Sequence, residues 1–209
     1  LGGLFIVLEG LDGCGKTTQA EKLARHLRDQ GHEVLELKEP GGTGIGDRVR
    51  EWFLDASQSL RPLTEAFLIE ASRHELVEAR INQALVEGQV VICQRYTYST
   101  LAYQGYGRGL DVGMLSNLNQ AATGGLVPDL TILIDISAET AWERLNSTRN
   151  LDRLENEGLQ FLTAVQSGYH VMADEFPEMI KIDGSHTVET VYNEIVHVVE
   201  RIEGGENEL

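Results

Sequence analysis

The sequence predicts an α/β domain built on a doubly wound, five-stranded parallel sheet with helices on both faces. Two observations carry this. Short apolar runs recur at residues 4–9, 33–38, 90–93, 130–136 and 179–183, the length and character of strands buried on both faces. Segments with apolar residues at helical spacing lie between them, and such alternation builds a parallel sheet. The 209 residues suffice for one such domain, spanning 1–209, and are too few for two.

The elements follow in order. Ala20, Leu23, Ala24 and Leu27 share one helical face and predict a helix over 16–30, stopped by Gly31. The second strand leads into the breaker Pro40-Gly41-Gly42 and a helix over 46–54. A long helix is expected over 63–87, with Pro62 at its entry and Gly88 at its exit. Short helices near 97–104 and 113–122 separate the third and fourth strands. A helix over 138–145, a polar stretch at 146–152 and a helix over 154–173 precede the fifth strand. Val188, Val191, Ile195, Val198 and Ile202 form the apolar stripe of the last helix. Residues 204–209 read as a disordered tail.

Seventeen Lys and Arg against 33 Asp and Glu give a formal charge of −16, which argues against nucleic acid or an anionic membrane as partner. All the cations except Lys181 and Arg201 precede Leu154, so they sit among the motifs described next. Two cysteines, Cys14 and Cys93, make no disulfide framework. With no basic leader and no apolar run near the ~18 residues of a membrane span, a cytoplasmic location is expected.

Gly10-Leu11-Asp12-Gly13-Cys14-Gly15-Lys16-Thr17 fits G-x-x-x-x-G-K-[ST] between a predicted strand and a predicted helix. The glycines let successive backbone N–H groups turn inward onto phosphate oxygens, and the helix adds the positive end of its dipole. Lys16 suits the β/γ-phosphates of ATP and the Thr17 hydroxyl suits Mg²⁺. Gly10, Asp12, Gly13, Cys14, Gly15, Lys16, Thr17 and Thr18 are therefore the expected ATP contacts. Such a loop alone leaves a GTPase, an ATPase or a small-molecule kinase open. None of Lys16, Lys22, Lys38 and Lys181 follows an Asn, so the Asn-Lys-x-Asp guanine reader is absent. No second domain is present for hydrolysis to drive, which leaves a small-substrate kinase.

Further segments narrow the choice: Lys38-Glu39-Pro40-Gly41-Gly42-Thr43, Glu70-Ala71-Ser72-Arg73, Arg95-Tyr96 with Ser99 to Gly105, and Asp152-Arg153-Leu154-Glu155. On these, in this order, the chain resembles the thymidylate kinase family over nearly its whole length. The resemblance implies a P-loop kinase fold with a short lid near 146–154. It also implies ATP-dependent conversion of dTMP to dTDP with Mg²⁺, usually in a homodimer. Asp12 would accept the 3′-hydroxyl of the deoxyribose. Arg50 and Arg95 would grip the acceptor phosphate bidentately, and Arg73 would read a thymine carbonyl. Thr100 and Gln104, four apart, would complete the hydrogen bonds to the base, with Tyr103 beneath the sugar and Glu39 and Ser99 nearby. The loop carries no Arg, so the transition-state cation falls to the lid: Arg149 for that role and Arg153 for ATP phosphate or adenine.

Two positions depart from the family pattern. The family's Asp after the third strand is Gln94 here, which contributes no charge against Mg²⁺. The aromatic residue four before Arg73, which stacks on thymine, is Ile69. Phe67 reads as core rather than as a substitute. A kinase of altered base choice and a nucleotide-binding regulator with weak turnover are the alternatives these departures raise.

Overall fold

The structure is a computed structural model that describes residues 3–147 and 153–204. The chain forms β1 (Leu4–Glu9), α1 (Lys16–Asp29), β2 (Val34–Lys38), α2 (Gly44–Leu54) and α3 (Pro62–Leu76). A π turn at Val77–Ile81 leads from α3 into α4 (Asn82–Val86), then β3 (Val90–Gln94). The short α5 (Thr97–Thr100) runs into a second π turn, Leu101–Gly107, ahead of α6 (Val112–Thr123), β4 (Leu130–Asp135) and α7 (Ala138–Asn146). A 3₁₀ turn at Glu155–Glu157, α8 (Leu159–Glu175), β5 (Met179–Asp183) and α9 (Val188–Glu203) complete it.

The five strands are parallel in the order β2-β3-β1-β4-β5, the doubly wound sheet that the alternation predicts. Strand residues alternate between two cores. Ile6, Leu8, Ile92 and Ile132 face the larger one, under α1, α8 and α9. Phe5, Val7, Val91 and Cys93 face the smaller one with Leu76, Val77 and Ile81. The register pairs Leu8 with Gln94 and Lys38 with Gln94. That sets the carboxyl ends of β1, β2 and β3 side by side, where an open α/β sheet collects its ligands.

Three expectations need correction. The long helix is not one α-helix, because the π turn at Val77–Ile81 interrupts it. The helix expected from residue 154 begins at Leu159, since Gly158 at φ 91° cannot continue a right-handed helix. Phe67 is 54% exposed and outside the core, while α3 turns Ala66, Ile69 and Arg73 inward. In the last helix Val191, Ile195 and Val199 lie deepest, and Val188 is exposed. Most of the predicted lid, and residues 205–209 of the predicted tail, lie outside the described residues. No helix among the described residues is long and apolar enough to cross a membrane.

Candidate active site

The phosphate loop is shaped by backbone that only glycine adopts readily. Gly10 has φ 137°, and a Cβ there would lie 2.5 Å from the Ile134 carbonyl oxygen and 2.9 Å from Cys14 Sγ. Gly15, at φ 101°, begins α1 without a side-chain cap, so the first-turn N–H groups face outward for an acceptor from elsewhere. Lys16 folds back over the loop, its Nζ donating to the carbonyls of Gly10 at 2.9 Å and Leu11 at 2.8 Å. Burial, with Arg95 nearby, lowers the Lys16 pKa. Arg144 of α7 donates to the Gly13 carbonyl at 3.0 Å. The Thr17 hydroxyl donates to Gln94 Oε1 at 2.8 Å. An uncapped helix start, an ammonium and a hydroxyl fit a polyphosphate. The hydroxyl and amide oxygens fit a hard cation that keeps several of its waters.

Asp12 carries the loop into a second space. Asp12, Glu39, Arg50, Ile69, Arg73, Arg95, Ser99, Thr100, Tyr103 and Gln104, all expected on the substrate, line one cavity of about 220 Å³. Arg95 stands between loop and cavity. Its φ of 72° lies in the left-handed region, a strained conformation for a side chain of its size. Its backbone N–H donates to the Leu8 carbonyl. Its guanidinium reaches Asp12 Oδ1 at 2.6 Å, the Tyr103 hydroxyl at 2.9 Å and Ser99 Oγ at 3.0 Å. Burial opposes charge on Asp12, but Arg95 and Lys16 prevail and hold its carboxyl well below the usual range. Glu9, fully buried at the end of β1, supports this arrangement from beneath. It accepts from the N–H groups of Tyr96 and Ser99 and from the hydroxyls of Ser99 and Tyr169.

Arg73 builds another part of the cavity lining. Arg73 is 1% exposed and bonds within the protein through every nitrogen. Nε and Nη2 donate to Glu39 Oε2, Nη2 also to the Tyr96 carbonyl, and Nη1 to Glu70, Thr100 and Asn119. Its expected bond to a base carbonyl therefore requires an exchange with one of these acceptors. In this structure Arg73 is a buried hub that fixes the wall. Burial raises the Glu39 pKa to about 7, although Arg73 works against the rise.

Arg153 is joined to Phe53 and Glu65. Its Nε donates to the Phe53 carbonyl at 3.0 Å, Nη1 bonds Glu65, and the guanidinium lies over the Phe53 ring. A buried guanidinium needs a carboxylate, and Glu65 supplies it. Arg149 lies outside the described residues.

The sequence reading missed Lys38, Phe53, Leu54, Leu154 and Glu155, which also line the cavity. Lys38 ends β2 beside Gln94. Burial and then Arg50, Arg95 and Lys16 lower its pKa, with Asp12 working against them. Its place at a strand's carboxyl end and at the head of the Lys38–Thr43 motif could have singled it out. Phe53 had no signal, because an apolar residue on a short helix reads as core.

An anion cradle that shares Asp12 with a cation-rimmed cavity is what transfer of a phosphoryl group between two nucleotide-sized anions needs. It sets the chain among the P-loop phosphotransferases. The family model described as Thymidylate kinase matches residues 8–195. The thymidylate kinase of Caldanaerobacter subterraneus subsp. tengcongensis is 45% identical over 199 residues, 95% of each chain. That of Thermoanaerobacter sp. (strain X514) is 43% identical, covering 95% of this chain and 98% of its own. That of Thermomicrobium roseum is 48% identical over 85% of each. This chain belongs to the thymidylate kinase family.

Proposed function

We propose that this chain converts dTMP to dTDP by in-line transfer of the γ-phosphoryl group of ATP. The single observation that carries the proposal is the cavity sharing Asp12 and Arg95 with the phosphate loop. When bound, Mg·ATP supplies the activated phosphoryl group and divalent charge. The loop N–H groups from Gly10 to Thr18 and Lys16 would hold the donor phosphates, and Thr17 with Gln94 would hold Mg²⁺, which would supply charge against them. Arg95 and Arg50 hold the acceptor phosphate, and Lys38 adds charge to them. Asp12 accepts the 3′-hydroxyl, Tyr103 packs against the sugar, and Thr100 and Gln104 face the base. No general base is required, because the acceptor is already an anionic phosphate. Positioning and charge neutralisation perform the catalysis. Arg149 is proposed as the transition-state cation.

Ile69 and Phe53 both line the cavity and offer a pyrimidine apolar surface, one aliphatic and one aromatic. A homodimer belongs to the same proposal. Ile45, Trp52 and Phe67, each more than half exposed on α2 and α3, suit contact with a second copy, which a mass measurement in solution tests. A cytoplasmic location accords with two buried free cysteines.

ADP release measured against dTMP, dUMP, dGMP, UMP and CMP tests the reading. Turnover strongest with dTMP is expected. Turnover favouring another monophosphate points to altered base choice, and binding without turnover points to a regulator.

A further inference from the structure

Gln104 lines the cavity and is 1% exposed, yet only one end of its amide is bonded. Nε2 donates to Glu65 Oε2 at 3.3 Å, while Oε1 has no partner among the described residues. Glu65 is fully buried on α3, outside the cavity lining. Its carboxylate also receives Arg108, through Nε at 3.2 Å and Nη2 at 3.1 Å, and Arg153 through Nη1. Arg108 bonds Glu157 in turn at 2.7 Å.

A carboxylate held between guanidiniums only accepts hydrogen bonds. It therefore dictates which end of the Gln104 amide it meets. The nitrogen must face Glu65, and the buried oxygen is left as the unpaired acceptor of a residue that lines the cavity. A glutamine without such a partner could turn over and donate instead.

We propose that Glu65 is a specificity-determining positioning residue. By locking Gln104 with its carbonyl oxygen toward the ligand, it selects a pyrimidine that carries a hydrogen on ring N3 over one with a lone pair there. The inference rests on the nucleotide-kinase reading above. Thymine and uracil present N3–H, which Gln104 Oε1 accepts. Cytosine sets a second acceptor against that oxygen, and both stay unpaired in a buried site. Glu65 thus separates dTMP and dUMP from dCMP, and does not separate the first two from each other. Through Arg153 the base reader is also tied to the end of the predicted lid, and through Arg108 and Glu157 to the turn that follows it.

The test is kcat/KM for dTMP, dUMP and dCMP with the wild type, Glu65→Gln and Glu65→Asp. Glutamine at 65 can offer either amide end, so the dTMP:dCMP ratio is expected to fall about tenfold or more, mainly through KM, with dTMP:dUMP unchanged. Glu65→Asp keeps an acceptor-only partner and should retain the preference. In a Gln104→Leu background, Glu65→Gln should leave the ratio where it is. A Glu65→Gln protein with the wild-type ratio overturns the proposal, as does one that loses all three substrates equally. If that variant does not fold, a crystal structure of the wild type with dTMP decides. Gln104 bridging Glu65 and N3 supports the proposal, and Gln104 swung off Glu65 overturns it. A wild type that turns over none of the three removes the kinase reading, and Kd ratios across the same variants then still decide the part played by Glu65.

Discussion

The Thr17 hydroxyl donates to Oε1 of Gln94 at 2.8 Å, tying the phosphate loop to the last residue of β3. A neutral amide therefore occupies the place where a carboxylate would add negative charge next to a bound divalent cation. Gln94→Asp restores that charge while keeping an acceptor for Thr17. It is expected to raise kcat about three- to tenfold and to lower the Mg²⁺ concentration needed for half-maximal rate. Steady-state kinetics across a Mg²⁺ series checks this, and an unchanged or lower kcat counts against the role given to Gln94.

Arg95 pairs with Asp12 at 2.6 Å and lines the cavity proposed to hold the acceptor. Arg95→Ala should lower kcat/KM for dTMP by roughly 10²–10³, the scale for losing one preorganised charge donor. Asp12→Ala should raise KM for dTMP. It should have little effect on KM for the 3′-deoxy analogue, which offers no hydroxyl to accept from. Equal losses on both substrates would assign Asp12 to the loop alone.

Glu39 gives a pH dependence of definite sign. Burial raises its pKa from 4.5 to about 7, so the folded chain binds this proton more tightly than the unfolded chain does. The stability it contributes is full below about 4.5 and is lost as pH rises through about 7. Asp12 acts in the opposite sense at lower pH: its depressed value stabilises the fold above its ordinary 3.8, and that stability is lost as pH falls below it. Urea unfolding of the ligand-free protein should therefore show stability falling between pH 5 and pH 8. Glu39→Gln should flatten that slope, and an identical slope in the variant would contradict the assignment.

Phe53 is 2% exposed, lines the cavity and lies beneath Arg153. Phe53→Ala should cost about 3–5 kcal/mol of stability, as deletion of a buried ring does. Phe53→Leu keeps most of the packing and should raise KM for dTMP about three- to tenfold through the lost ring contact. Thermal unfolding and KM together separate the two effects.

Some of this was legible in the chain. The strand runs and the phosphate loop were readable from apolar period and spacing, whereas the cavity residues were marked by the resemblance to a known family. Ile69 and Arg73, four apart, do share the wall as that spacing requires. What spacing could not show was partnership. The bonds that Arg73 makes to Glu39, Glu70, Thr100, Asn119 and Tyr96 appear only in the fold. Glu65 belongs to no motif, and only the fold brings Arg108 and Arg153 to it. Phe67 reads as core because its period is apolar, yet α3 turns the neighbouring face inward. The π turns follow from no residue type, so the interruption at Val77–Ile81 had no local signal.

The central claim is that two phosphates meet between Lys16 and Arg95. A crystal structure with adenosine and thymidine joined by a pentaphosphate tests it most directly. The account predicts the thymine beside Gln104 and Ile69, the adenosine end over the loop, and Lys16 turned from the Gly10 and Leu11 carbonyls onto the phosphate bridge. A thymidine end lying outside the cavity, with Arg50 and Arg95 directed away from the bridge, would contradict it.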